Sequence, residues 1–165
     1  MGRSVSISND GLRVAGGANL FGTANATEVG MVRAYQYDMN TNTWTQMGQD
    51  IIGEEEGEWV GTYVSLSGDG LLLAVGSMWA DANGVDSGRV KVWRYHSPKD
   101  EWIQVGPDLA GESAGDTFGV TVALSGDGTV LAGGAHYNQV NGGKSGHARV
   151  FQLVEESEEE PDIFA

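Results

Sequence analysis

The sequence contains no cysteine, only three prolines and no long apolar run in its 165 residues. The absence of cysteine excludes disulfides, cysteine-ligated zinc sites and thiol nucleophiles. No segment reaches the ~18 apolar residues of a membrane-spanning helix, and the first residues lack the apolar segment of a signal peptide. We therefore expect no insertion into a membrane.

Positive charge is also scarce, because 9 lysines and arginines face 23 aspartates and glutamates, for a formal net charge of −14. An acidic surface repels the phosphate backbone of nucleic acids, so we expect no nucleic-acid partner. Cations, basic proteins and neutral glycans remain compatible with this charge.

Glycine is abundant, with 26 residues, more than twice the usual ~7%. These glycines separate short apolar runs and show no collagen-like period, which is typical of many tight turns. No segment has a helical period over a useful length. The composition therefore predicts an all-β chain.

The chain repeats one motif three times. The copies "VSISNDGLRVAGGA", "VSLSGDGLLLAVGS" and "VALSGDGTVLAGGA" begin at Val5, Val64 and Val122, at spacings of 59 and 58 residues. Each copy contains a strand, an Asp-Gly turn and a second strand, and two further short strands follow it, as in "RVKVWRY" and "WIQVG". Four antiparallel strands per repeat predict the blades of a β-propeller.

We divide the chain into repeat 1 (residues 1–60), repeat 2 (61–118), a partial repeat 3 (119–154) and an acidic tail (155–165). About three blades form only a partial or open propeller, because closed rings have four to eight. The chain is then a piece of a longer protein, half of a ring that two copies complete, or an open arc. Trp44 and Trp102 recur at one repeat position, and we expect both to pack between neighbouring blades.

The residues Phe118-Gly119, followed by "VTVALSGDGTVLAGGA", resemble the FG-GAP repeat, and the resemblance extends over nearly the whole chain to Leu153. FG-GAP repeats build the propeller of integrin α chains and of many microbial surface proteins. The resemblance implies an extracellular or cell-surface location.

The calcium loops of FG-GAP repeats place several Asp or Asn residues between the first two strands. Here each repeat has one aspartate in that link, Asp10, Asp69 or Asp127. One carboxylate cannot supply the six to eight oxygens that calcium needs, so we interpret these aspartates as turn residues.

Two other groups of acidic residues are candidates for calcium or for turns. Asp81, Asn83 and Asp86 lie in one Gly-containing loop and form a weak candidate calcium site, with a solvated loop as the alternative. A second loop type repeats a pair of acids, and we expect these carboxylates to accept backbone amides. The pairs are Glu54 with Glu58 and Glu112 with Asp116.

The loops after the second strand carry the candidate ligand-binding residues Phe21, Trp79, Tyr137 and Asn138. Such side chains stack on sugars, serve as protein hot spots or cover the edge of the core. By contrast, the three histidines occupy unrelated repeat positions, and no set of nucleophile and base is recognisable.

We therefore predict a non-catalytic module for protein or glycan recognition or adhesion in a surface protein. One alternative is a structural subunit that binds further blades or copies of itself, and another is a hydrolase.

Overall fold

The computed structural model describes residues 1–154, so the predicted acidic tail lies outside the described residues. Those residues form twelve β-strands in three separate antiparallel sheets. No helix in this part of the chain has the length and apolar content that crossing a bilayer requires. The predicted all-β architecture is confirmed.

Blade 1 contains β1 (Ser4–Ile7), β2 (Arg13–Gly17), β3 (Met31–Asp38) and β4 (Thr43–Ile52). Blade 2 contains β5 (Val60–Leu66), β6 (Leu72–Ser77), β7 (Arg89–His96), β8 (Glu101–Gln104) and β9 (Leu109–Ala110). Blade 3 contains β10 (Thr121–Leu124), β11 (Val130–Ala135) and β12 (His147–Gln152). Apart from β9, which pairs with β7, strands that are consecutive in the chain are neighbours in each sheet, as expected for propeller blades.

The outer edge of blade 2 differs from the prediction. Four strands were expected in each blade, yet residues 109–110 form a fifth strand, β9, which pairs with Arg89 and Val90 of β7. In blade 1 the outer strand β4 runs without a break, whereas blade 2 has Pro107 where β4 has Gln49. Proline cannot donate a ladder hydrogen bond, which accounts for the split of this edge into β8 and β9.

The Asp-Gly turns have the predicted structure. In blade 2, Asp69 Oδ1 accepts the Ser67 hydroxyl at 2.5 Å and the Leu71 amide at 2.9 Å, and Gly70 adopts a φ of 70°. Asp10 and Asp127 accept the same pair of donors in their own turns. The pKa of Asp10 and of Asp127 is lowered, first by the bond from the serine hydroxyl. The interpretation of these aspartates as turn residues is confirmed.

The three sheets stack face to face and enclose two apolar layers. The first layer joins side chains of blades 1 and 2, among them Val32, Met47, Val64, Leu73 and Trp102. The second joins blades 2 and 3, with Ala74, Val90, Val92, Phe118, Val122 and Leu131. Single bridges, Gly30 to Val60 and Gly88 to Phe118, link successive blades without merging their sheets. The core of this molecule is therefore the set of junctions between blades.

Candidate functional site

Each junction contains a backbone contact between two glycines. A Cβ on Gly17 of blade 1 would lie 2.1 Å from the Gly61 oxygen of blade 2, and a Cβ on Gly76 would lie 2.0 Å from the Gly119 oxygen of blade 3. Gly61 and Gly119 also have positive φ angles, of 80° and 88°. No side chain fits at these contacts, so glycine is required on both sides.

Serine hydroxyls connect the first strand of one blade to the first strand of the next. Ser4 Oγ accepts the Val64 amide at 3.0 Å, and Ser6 Oγ accepts the Leu66 amide at 2.9 Å. Ser65 repeats the role of Ser6, because its hydroxyl oxygen accepts the Leu124 amide of blade 3 at 2.9 Å. These amides lie on edge strands and have no partner strand in their own sheet on that side. The preceding blade therefore supplies their hydrogen-bond acceptors.

Trp102 lies in the first junction, as predicted. Its indole N–H donates to the Met47 carbonyl at 2.8 Å, its backbone exchanges two hydrogen bonds with the Gln49 side chain, and it is 2% exposed. The prediction is wrong for Trp44, which is 47% exposed at the same repeat position. Trp44 lies on the face of blade 1 that no other blade among the described residues covers.

A buried ion pair lies at the first junction. Glu58 accepts the Glu54 amide at 2.9 Å through one carboxylate oxygen and binds Arg89 through the other. Arg89 also donates to Asp108 at 3.1 Å. Burial lowers the pKa of Arg89, but the bond to Glu58 and its charge outweigh burial, so the pKa is raised overall. The prediction that Glu58 closes its loop by accepting backbone amides is confirmed.

The second junction uses the same acid position differently. Asp116 accepts the Ser113 amide and the side-chain amide of Asn138, both at 2.9 Å. Asn138, one of the candidate ligand-binding residues, is therefore buried in a junction and hydrogen-bonded to it. As a ligand contact, Asn138 stays a prediction.

The nearest approach to a catalytic pair is also at the second junction. Thr117 Oγ1 lies 3.0 Å from His136 Nδ1. However, the Thr117 hydroxyl donates to the Asp116 carbonyl at 2.6 Å, and the residue is fully buried. A hydroxyl committed in this way is not activated by the imidazole and cannot reach a substrate.

The candidate aromatic side chains lie in the loops that follow the second strand of each blade, but the structure does not bring them together. Phe21 takes the repeat position of Asn138, while Trp79 and Tyr137 share the preceding position. Trp79 packs edge-on against Trp59, with ring centroids 6.0 Å apart. Tyr137 stacks on His136 at 3.8 Å and lies under the Lys144 ammonium at 4.2 Å. As ligand contacts these residues stay predictions.

The side chains of two candidate calcium residues, Asp81 and Asn83, hydrogen-bond to the backbone of their own loop and of a neighbouring loop. Asp81 Oδ1 accepts the Asp86 amide at 2.9 Å, and the Asn83 side-chain amide donates to the carbonyls of Gly111 and Glu112, each at 3.0 Å. Within residues 1–154 no group of three or more acidic, histidine or cysteine side chains could hold a metal ion. Calcium binding at this loop stays a prediction.

Two recesses in the three blades differ in size and in enclosure. A cavity of about 30 Å³ lies at the first junction beside Glu54, Glu58, Lys91 and Trp93, which is room for about one water molecule. An open groove of about 410 Å³ lies at the uncovered side of blade 1. It is lined by Met1, Arg3, Ala18, Asn19, Leu20, Phe21 and Met31.

The glycine and serine contacts were missed from the sequence, although a signal for them was present. Glycine recurs at Gly17, Gly76 and Gly134, and serine recurs at Ser6 and Ser65. A polar or small residue that returns once per repeat indicates a contact that also recurs once per repeat.

Comparison with known proteins identifies the fold. No protein-family model matches the chain, and no curated protein matches it significantly. Among solved structures, a putative 6-phosphogluconolactonase from Bacteroides uniformis is 14% identical with a TM-score of 0.57, over 93% of this chain and 37% of that one. U3-55K is 14% identical with a TM-score of 0.53, and the match covers 91% of this chain and 42% of that one. A periplasmic gluconolactonase from Pseudomonas aeruginosa is 20% identical with a TM-score of 0.49, and the match covers 81% of this chain and 36% of that one.

The chain is a β-propeller segment that spans about two fifths of the length of these structures. The expectation of a recognition or adhesion module in a surface protein is wrong, since the similar structure with a TM-score of 0.57 is named as a lactonase and neither it nor U3-55K is named as an adhesion protein. Asn138, one of the proposed contact residues, serves a junction. The FG-GAP resemblance and the extracellular location stay predictions.

Proposed function

We propose that this chain is a non-catalytic scaffold that supplies three consecutive blades to a larger β-propeller. In this view its functional sites are the two end faces, on blade 1 and on blade 3, each of which binds a further blade. The observation that carries the proposal is that repeat-equivalent apolar residues are buried at the internal junctions and exposed at the ends.

The entry face, on the outer side of blade 1, contains Val5, Ile7 and Trp44. Val5 is 75% exposed, whereas Val64, at the same position of blade 2, is 2% exposed in the first apolar layer. Trp44 is likewise 47% exposed, whereas Trp102, at the same position of blade 2, is 2% exposed. The entry face therefore has the composition of a junction but lacks a neighbour within the described residues.

The exit face, on the outer side of blade 3, shows the same contrast. Val92 of blade 2 is 3% exposed, while Val150, its equivalent in blade 3, is 70% exposed. The atoms nearest to a Cβ on Gly134 belong to Thr121 of its own blade, whereas a Cβ on the equivalent Gly17 or Gly76 would meet the next blade. Gly134 thus lacks its glycine partner within the described residues.

Covering these faces would be strongly favourable. Full burial of a Val, Leu or Ile side chain contributes about 1.5–3 kcal/mol, and an exposed apolar sheet face invites association. The polar side chains at the junctions, such as Glu58, Arg89 and Asp116, bind other parts of the junction, which supports a structural role for them.

The proposal is tested with a four-blade chain in which a copy of residues 61–118 precedes Gly2. This fusion keeps the repeat register, because Gly2, Gly61 and Gly119 are equivalent. We expect hydroxyl-radical footprinting to show strong protection of Trp44 in the four-blade chain. Trp59, whose surroundings do not change, is the internal control. Equal oxidation of Trp44 in both chains would overturn the proposal.

Lactone hydrolysis is the catalytic alternative, because it is named for the B. uniformis neighbour. A scaffold predicts that neither the three-blade nor the four-blade chain hydrolyses 6-phosphogluconolactone faster than buffer does. Hydrolysis that survives further purification and is lost on unfolding would show that the chain is an enzyme.

A further inference from the structure

We infer that a second copy of this chain covers the end faces, with the entry face of one copy packed head to tail on the exit face of the other. This inference rests on the proposed function, since it names the partner of the same faces. The pairing would reproduce an internal junction between two molecules.

The first support is the glycine contact. Gly2 has a φ of 108°, and its amide donates to the Gly17 carbonyl at 2.9 Å, as the Gly119 amide donates to the Gly134 carbonyl at 3.0 Å. Gly2 is thus already held in the conformation that Gly119 uses at a junction, and a Cβ placed on Gly2 would meet nothing within 4 Å. Gly134 is the equivalent of Gly17 and Gly76 on the other copy, with the Thr121 methyl group as its nearest neighbour.

The second support is a hydroxyl at the position that Ser4 uses in the first junction. Thr121 pairs with Gly134 as Ser4 pairs with Gly17, so Thr121 occupies the position of Ser4. Because Ser4 Oγ accepts the Val64 amide, Thr121 Oγ1 would accept the Val5 amide of the second copy. Blade 3 has Ala123 where blade 2 has Ser65, so the second serine contact would be missing.

The third support is directionality. Both internal junctions join the exit side of one blade to the entry side of the next, and the two sides are different surfaces. Pairing two entry faces would match neither the glycine contact nor the hydroxyl contact. A head-to-tail contact of this kind either closes into a ring or continues as a filament.

Charge sets the conditions for the pairing. With a net charge of −14, two copies repel each other at long range, and salt screens that repulsion. We therefore expect association to strengthen as ionic strength rises, as is typical for an apolar contact between like-charged molecules.

The test is the mass of the full chain, measured by sedimentation velocity and light scattering over rising concentration and salt. We expect the mass to rise from 17.4 kDa to at least twice that value. Val5→Lys and Val150→Lys should each weaken self-association by at least about tenfold, because each buries an unpaired ammonium in the contact. Val85→Lys, on an exposed loop valine, is the matched control.

A mixing experiment tests the direction. Neither Val5→Lys nor Val150→Lys should associate alone, yet an equimolar mixture should, because it restores one intact junction. Dimerisation of Val150→Lys by itself would indicate entry-to-entry pairing and overturn the inference. A chain that stays monomeric at all concentrations and salt levels would also overturn it. If Trp44 is still protected in the four-blade chain, the proposed function stands while this inference fails.

Discussion

Replacing Trp102 and Trp44 separately measures how much a junction stabilises the fold. The two residues share one repeat position and neighbour equivalent tyrosines, with ring centroids 5.4 Å from Tyr95 to Trp102 and 5.2 Å from Tyr37 to Trp44. They differ in that a second blade covers only Trp102. The pair is therefore an internally matched comparison of a covered and an uncovered blade face.

Trp102→Ala should lower the free energy of unfolding by about 3–5 kcal/mol, the usual cost of removing a buried large aromatic side chain. About 1 kcal/mol of this comes from the lost hydrogen bond to the Met47 carbonyl. Trp44→Ala should cost about 1 kcal/mol or less, because nearly half of its surface is already in water.

The assay is urea unfolding followed by circular dichroism, at about 1 µM protein so that self-association does not contribute. A loss of about 5 kcal/mol can equal the whole stability of a small domain, so Trp102→Phe serves as the milder variant. It keeps an aromatic ring and removes the indole N–H. Equal losses for Trp44→Ala and Trp102→Ala would refute the inference that the blade 1–blade 2 junction is a core of the fold.

Two further predictions concern the junctions. Gly76→Ala should destabilise the chain by more than 2 kcal/mol in the same assay, because its methyl group would meet the Gly119 carbonyl oxygen. The control Gly143→Ala should be nearly neutral, because the space around Gly143 is open. Similar unfolding midpoints for the two variants would contradict the glycine contact. Burial and the bond to Asp100 raise the pKa of Tyr95 to about 12, so its contribution to stability is present below pH 10 and is lost as pH rises towards 12. The stability difference between wild type and Tyr95→Phe should therefore shrink above pH 10, and a difference independent of pH would contradict this account.

The strands and turns could be predicted because their causes are local. In each turn the Asp side chain binds a serine hydroxyl two residues before it and an amide two residues after it, and Asp69 shows both contacts within five residues of sequence. A period of 58 or 59 residues then indicated that one local structure is built three times.

The environment of each repeat could not be predicted from the repeat itself. Trp44 and Trp102 share the local pattern W-x-Q-x-G, and the presence of a neighbouring blade on one side makes Trp102 buried while Trp44 is exposed. For the same reason Asn138 was interpreted as a ligand-binding candidate, and its hydrogen bond to Asp116, 22 residues earlier in the chain, was not predicted. In a stacked repeat protein, the burial of a residue depends on the neighbouring blade as well as on the blade that contains it.

The most direct test of stacked blades with uncovered ends uses the absence of native cysteine. Val5→Cys, Val64→Cys and Val122→Cys place one thiol at the same position of each blade, where exposure is 75%, 2% and 3%. At low protein concentration, the account predicts that a thiol reagent labels position 5 at nearly the rate of a free thiol and labels positions 64 and 122 orders of magnitude more slowly. Similar rates at positions 5 and 64 would contradict it.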